Sequence, residues 1–462
     1  MLNLKSKCNT YIHLYVKRIA HSTMFTHHKA ILRLGIPIAI GQLGVIIMGF
    51  ADTMMVGRYS TEALAAASFV NSVFNLITFL LMGYSYGLTP LVSSLFGRGK
   101  HCEAGTTLAQ AVVCNLLFAL LLMGLMGVGY FCLDRMGQPP HLLPIVRPYY
   151  LCVMWSIPFL ALFNVMRQFT DGITETATAM WALLAGNALN VVGNFLLIYG
   201  VGPFPELGLT GAGLSTLFSR VVTAAILLAV LWLRPRYETF REGIRKADYT
   251  AQSLRHINRQ SLPIALQMGT ESGAFTFSGI MAGWLGAVDL ASFQVMVTIG
   301  TLGFLLYYSF GAGLSIRVAT FYGAHDEVQL RRATRAGQHI LLGMAAISSL
   351  IFLLLGKTLV QSFTTDPAVI TLCMGLIPPL ILYQLGDAMQ ICYANALRGT
   401  AHVMPMMWIA FFSYLVVNIP IAYLLAFTLG LGSQGLFLAF SCGLFVAAFL
   451  FYNRYHAVVR RG

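Results

Sequence analysis

Charge is what this 462-residue chain has least of. Asp, Glu, Lys and Arg make up only 10% of it, where an ordinary soluble domain carries about 25%. Most of the chain must therefore face lipid or other apolar helices, and soluble architectures are excluded. Paired cysteines are missing as well. The eight cysteines are scattered, mostly one to a helix and without a CxxC pair, so they read as small apolar fillers and not as a disulfide framework or metal site. The first 30 residues lack an uninterrupted apolar core of signal-peptide length, and no cleavage is expected. Met24 is a candidate start, because the periodic pattern begins only at Ile31. No basic stripe is interleaved with aromatics, so the net charge of +13 does not point to nucleic acid.

What is present is length in apolar runs. Runs long enough to span a bilayer occur near 31–56, 64–88, 104–130, 142–166, 177–200, 211–233, 258–284, 290–316, 333–356, 369–397, 404–428 and 434–453. The expected fold is an all-α membrane protein with twelve transmembrane helices in two pseudo-symmetric six-helix bundles. Basic residues set the orientation. Of 29 Lys and Arg, four (Arg58, Arg135, Arg147 and Lys357) fall in outer loops, one (Arg220) within a span, and the remaining 24 in inner loops and tails if the N-terminus is inside. Both termini are thus expected in the cytoplasm.

The chain also repeats itself. "IPIAI" (36–40) and "LPIAL" (262–266) open the first and seventh spans at an offset of 226, and Gly57 and Gly283, Leu64 and Leu290, and Ala65 and Ala291 share that offset. "TATAM" (176–180) and "TAHVM" (400–404) match at an offset of 224, where Asn194 meets Asn418. Two halves that start on the same side imply a parallel repeat about an axis along the membrane normal. The expected organisation is a basic tail (1–30), a six-helix lobe (31–233), a cytoplasmic linker (234–257), a second six-helix lobe (258–453) and a basic tail (454–462).

Thirteen of the sixteen acidic residues fall in loops, tails or helix ends; Asp52, Glu271 and Asp387 do not. Asp387 lies eleven residues before Arg398, about 16 Å along a helix and near the middle of a ~30 Å hydrocarbon core. An aspartate there costs roughly 2.5–3.5 kcal/mol on insertion scales, so an intramembrane acid is a functional candidate by default. Glu271 is also near mid-depth, and Asp52 falls in the outer half of the first span. Three acids with one span-embedded base need protons, metal cations or a cationic substrate. Tyr383, one turn before Asp387, shares its helical face and can join it around a small cation or donate to it. Gly269 and Gly273 flank Glu271 in a small-xxx-small pattern that suits close helix packing. Asn187, Asn190 and Asn194 form an oxygen-rich stripe at helical spacing, able to meet Asp52 as ligands or simply to hold helices together.

"GFADTMMVGR" (49–58), "NALNVVGNFLLIYG" (187–200), "LPIALQMGTES" (262–272) and "LYQLGDAMQICYANALRGT" (382–400) together resemble the multidrug and toxic compound extrusion (MATE) family, in its bacterial NorM-like branch. The resemblance runs from Ile31 to the C-terminus. It implies a monomeric antiporter of the bacterial inner membrane, without cofactor, that expels cationic amphipathic compounds in exchange for Na+ or H+. It also implies coupling residues in the first, seventh and tenth helices, here Asp52, Glu271 and Asp387 with Tyr383, and a polar site at Asn190 and Asn194. In one branch of the family an aspartate stands at the position of Asn194, so the asparagine shifts the expected coupling toward the C-terminal acids. Glu271, Tyr383 and Asp387 are a set of hard oxygen ligands that suits Na+, and the same set could hold a shared proton. A flippase for lipid-linked precursors is the alternative. An integral membrane enzyme is disfavoured because the eleven histidines sit mainly in tails and loops.

Overall fold

Helices follow one another with short breaks through nearly all of the computed structural model, which describes residues 23–135 and 139–460. The expectations for residues 1–22, most of the basic N-terminal tail, and for the last two residues lie outside the described residues. Among the described residues there are twelve long helices, Met24–Tyr59, Thr61–Gly97, His101–Phe131, Pro140–Gly172, Thr176–Tyr199, Gly208–Leu233, Ala251–Leu285, Ala287–Gly323, Glu327–Gln361, Pro367–Gly399, Met404–Thr428 and Gly432–Val459. They are called the first to twelfth spans below. Eleven of them are long and apolar enough to cross a membrane. The seventh has the length but a more polar sequence, carrying Arg255, His256, Arg259, Gln267 and Glu271. Among the described residues there is no β-strand.

The helices extend beyond their apolar cores. The first begins at Met24 and the seventh at Ala251, each ahead of the hydrophobic run, because polar residues at a membrane surface can continue a helix that the apolar segment has nucleated. Between the sixth and seventh spans lies a short helix, Glu238–Arg245. It packs on the start of the third span, where Gly105 and Gly243 remove the side chains that would block the contact and Thr106 Oγ1 donates to the Gly243 carbonyl at 2.9 Å.

Proline sits inside the first and seventh spans at the repeat-related positions Pro37 and Pro263. Each removes one intrahelical hydrogen bond, a loss that transmembrane helices tolerate. The eleventh span departs further. Phe411–Asn418 and Leu424–Thr428 are π-helical, with a short α-helical stretch Ile419–Tyr423 between them.

Outward faces are apolar, the reverse of a soluble bundle. Leu117, Leu121 and Leu125 on the third span, and Leu350 and Leu354 on the ninth, recur one turn apart and are exposed. This is a multi-pass membrane protein, and those rows are its lipid-facing surface.

By packing, the chain forms two compact units. One holds Ile40–Phe96 and Lys100–Ala265, with cores that include Phe74, Leu122 and Tyr150, and Leu108, Phe169 and Leu227. The other holds the described residues up to Ala39, Gly97–Gly99 and those from Leu266 on. Its core gathers Ala274, Met281, Tyr383, Tyr414, Phe437 and Phe440. The first and seventh spans are therefore each divided in membership, near Ala39 and Ala265, a few residues beyond Pro37 and Pro263.

Candidate functional site

In the first of these units the fifth and sixth spans lie close because small residues face one another. A Cβ at Gly193 would stand 2.5 Å from Ser215 Oγ, and Ser215 Oγ donates to the Asn190 carbonyl at 2.8 Å. This contact sets the height of the asparagine stripe. Asn194 Nδ2 donates to Asp52 Oδ1 at 2.6 Å. With its amide nitrogen turned toward the acid, Asn190 donates to the same oxygen at 2.9 Å, and its own oxygen accepts from Thr216 N and Oγ1. Asn190 and Asn194 are fully buried, whereas Asp52 is half-buried. Asn187 takes no part. Its amide nitrogen lies against Gly44 and has no hydrogen-bond partner.

Arg220 enters this region from the sixth span. Its guanidinium stands 4.6 Å over the Phe74 ring, bonds Ser156 Oγ and lies within electrostatic reach of Asp52 and Tyr149. It forms no ion pair with Asp52 among those described. Asp52 is thus held by amide donors, and its charge is only partly compensated.

The second unit brings Glu271 and Asp387 within electrostatic reach of each other, on the seventh and tenth spans. Asp387 is 1% exposed, and its Oδ2 has no hydrogen-bond partner. The Tyr383 ring, edge-on to Phe275, Phe437 and Phe440 at 6.1, 6.5 and 6.3 Å, is held beside both acids. An aromatic socket therefore fixes Tyr383 next to a carboxylate with unused acceptor capacity. Gly273 plays no part in packing. It is exposed, and a Cβ there would meet nothing within 4 Å.

Three residues near these acids were not singled out by sequence reasoning. Tyr414 on the eleventh span faces Glu271, and Arg398, buried in the tenth span, lies within electrostatic reach of it. Thr216 closes the Asn190 amide. A repeat signal existed for Tyr414, since it stands 224 residues after Asn190. Arg398 was grouped with the cytoplasmic charges because its neighbours in sequence are polar. The helix instead carries it into the protein, as it does Arg167 and Arg317.

Among the described residues no three His, Cys, Asp or Glu side chains converge as they would on a transition metal. The acids come singly or as a pair, supported by neutral oxygens, which is a donor set for a proton or a hard monovalent cation.

The MatE family model matches residues 37–196 and 263–424. The chain is 28% identical over 428 residues to the "Probable multidrug resistance protein NorM" of Xanthomonas axonopodis pv. citri (strain 306), covering 93% of each chain. It is 29% identical to the protein of the same name in Xanthomonas campestris pv. campestris, again over 93% of each. Its fold is similar to that of a multidrug resistance MATE family transporter of the MOP superfamily solved in an outward-facing conformation. The TM-score is 0.86 at 21% identity, with 94% of this chain and 96% of that one covered.

Proposed function

Because the chain belongs to the MatE family, a family of transporters and not of enzymes, we propose that it is an inner-membrane multidrug antiporter expelling cationic amphipathic compounds in exchange for Na+ or H+. The observation that carries this reading is the pair of half-buried Glu271 and fully buried Asp387, two carboxylates within electrostatic reach and with an unused oxygen on Asp387. Two acids that close, one buried and one half-buried, favour sharing a proton, which leaves the pair with one negative charge. Either an incoming cation or an organic cation can neutralise that remaining charge, but both at once would be one charge too many.

The cycle follows from that competition. A cation or proton entering from outside neutralises the pair, weakens its hold on a cationic drug and favours the inward-facing state. Drug binding from the cytoplasm then displaces the ion and resets the carrier. One charge moving inward through 100 mV yields roughly 2.3 kcal/mol, enough for a ~50-fold gradient at ~1.4 kcal/mol per decade. Tyr383 would ligate or donate beside Asp387. Asp52 with Asn190 and Asn194 would be a second site.

In this reading the six-helix halves 31–233 and 258–453 act as the two lobes of an alternating-access carrier. The segment 234–257 joins them, both termini lie in the cytoplasm and the monomer is the working unit. The repeat and the distribution of Lys and Arg support it.

The test is efflux of a fluorescent organic cation such as ethidium from proteoliposomes under imposed Na+ or pH gradients, with wild type and Asp387→Asn side by side. Export driven by one gradient and lost in the variant is the expected result and names the ion. Normal export by Asp387→Asn would refute the assignment. No gradient-driven movement of any organic cation, from folded and oriented protein, would turn the reading toward lipid-linked cargo.

A further inference from the structure

The short helix Glu238–Arg245 is fixed to the unit that carries it by its apolar residues. Phe240 and Gly243 are buried. The Phe240 ring meets those of Phe169 and His101 edge-on at 5.3 and 5.4 Å, and Gly243 lies against the Cys102 carbonyl of the third span. Arg241 and Arg245 follow one turn apart on the same helix, the first half-buried and the second exposed.

Both arginines reach one residue of the sixth span. Arg241 donates to the Trp232 carbonyl, and the Arg245 guanidinium stands 5.9 Å over the Trp232 ring, within range of a cation–π contact. Trp232 is the last residue but one of that span. Its side chain is exposed, and so is that of Leu233 beside it. A tryptophan at the end of a span belongs at the headgroup level of a bilayer. The two guanidiniums are therefore held at the height of lipid phosphates, next to apolar surface that lipid would cover.

Positive charge here exceeds its partners. Residues 234–246 carry Arg234, Arg236, Arg241, Arg245 and Lys246 against Glu238 and Glu242. Of these basic groups only Arg236 takes part in an ion pair among the described residues, with Glu175. Glu238 and Glu242 are exposed on the same short helix, and neither pairs with Arg241 or Arg245. A basic cluster directly after a span, or on a helix lying at the membrane surface, attracts anionic lipid.

We propose that Arg241, Arg245 and Trp232 form a binding site for the phosphate group of an anionic phospholipid at the end of the sixth span. A guanidinium presents a planar fork of donors that matches phosphate oxygens two at a time. Trp232 and Leu233 offer the glycerol and acyl regions an apolar wall. A lipid satisfies both halves of this surface together, whereas a soluble anion satisfies only the charged half. Phosphatidylcholine has the phosphate but brings its own cation, so the site selects by net charge.

The test is fluorescence quenching of the full-length protein in phosphatidylcholine vesicles in which brominated phosphatidylglycerol or brominated phosphatidylcholine replaces part of the lipid. Trp232→Phe, measured in parallel, separates the Trp232 signal from that of the other tryptophans. Phosphatidylglycerol is expected to quench Trp232 at about a tenfold lower mole fraction than phosphatidylcholine. Arg245→Gln is expected to lose about fivefold of that preference, Arg241→Gln combined with Arg245→Gln to lose all of it, and Arg245→Lys to keep more than Arg245→Gln. Arg245→Gln leaves the Trp232 carbonyl bonded to Arg241, so it carries the test by itself if the double variant does not insert. Arg331→Gln, at the exposed start of the ninth span, is expected to behave as wild type. Equal quenching by the two lipids in wild type would overturn the site, as would an undiminished preference in Arg245→Gln. A preference lowered as much by Arg331→Gln would overturn it in favour of a general surface potential. Inorganic phosphate at constant ionic strength is expected to change nothing, and relief of quenching by phosphate would overturn the lipid as occupant.

Discussion

Asn194 Nδ2 reaches Asp52 Oδ1 at 2.6 Å, tying the fifth span to the first across 142 residues of chain. The donor is fully buried, and the acceptor is an acid whose nearby base, Arg220, is engaged with Phe74 and Ser156. Hydrogen bonds to charged groups contribute about 1.5–3 kcal/mol, so Asn194→Ala is expected to destabilise the protein by roughly that amount. Thermal or denaturant unfolding in detergent reads it directly, and an unchanged midpoint would mean that the bond contributes nothing.

The Gly193 contact is expected to matter for the same site. A methyl group there would meet Ser215 Oγ, which holds the Asn190 carbonyl, and overpacking of this kind costs about 1–3 kcal/mol. Gly193→Ala should lower the melting temperature. Gly273→Ala, with open space around it, should leave it unchanged or raise stability by ~0.5–1 kcal/mol, because alanine loses less conformational freedom in a helix. Equal effects from the two would show that the close approach is not what positions the sixth span.

Glu271→Gln keeps the shape of the side chain and removes its charge. Gradient-driven export is expected to fall by about tenfold or more at an unchanged amount of folded protein in the membrane, the pattern for a lost coupling charge. Ethidium efflux normalised to protein in the proteoliposome is the measurement, and wild-type efflux would remove Glu271 from the coupling pair.

Just past the sixth span Tyr237 donates to Glu175 at the start of the fifth, and Glu175 also pairs with Arg236. Tyr237 is 1% exposed, and burial pushes its phenol above the usual tyrosine range. The folded state therefore keeps a proton that the unfolded chain releases above pH ~10. Stability from this group is complete below that pH and declines as pH rises toward the folded value. Melting temperatures measured between pH 8 and about 11 should fall more steeply for wild type than for Tyr237→Phe, which has no proton to lose. Parallel curves would contradict the assignment.

Some of this site could be read along the chain. The spacing of Asn190 and Asn194 put them on one helical face, and that face does meet Asp52. Tyr383 shares a face with Asp387 simply because one turn separates them. Tyr414 and Arg398 escaped for different reasons. The first is a tyrosine in an aromatic-rich apolar run, where nothing local marks it off from Tyr423 or Phe427. The second follows a run of small and polar residues that resembles a helix end, and only the continued helix to Gly399 shows that it is buried. The π-helical turns of the eleventh span have no compositional mark at all.

By itself, the sequence determined what depends on composition and short spacing. Those properties are the membrane class, the run of long helices, the repeat and the acids set far from water, because transfer energies and helical periodicity act residue by residue. Tertiary structure alone decided which buried polar groups find partners. Asp52 is satisfied by two amides, whereas Ser278 and Asn418, at the related positions, have none. That difference arises where helices far apart in sequence meet, and hydrogen bonding over a few ångströms depends on that meeting and not on the residues taken singly.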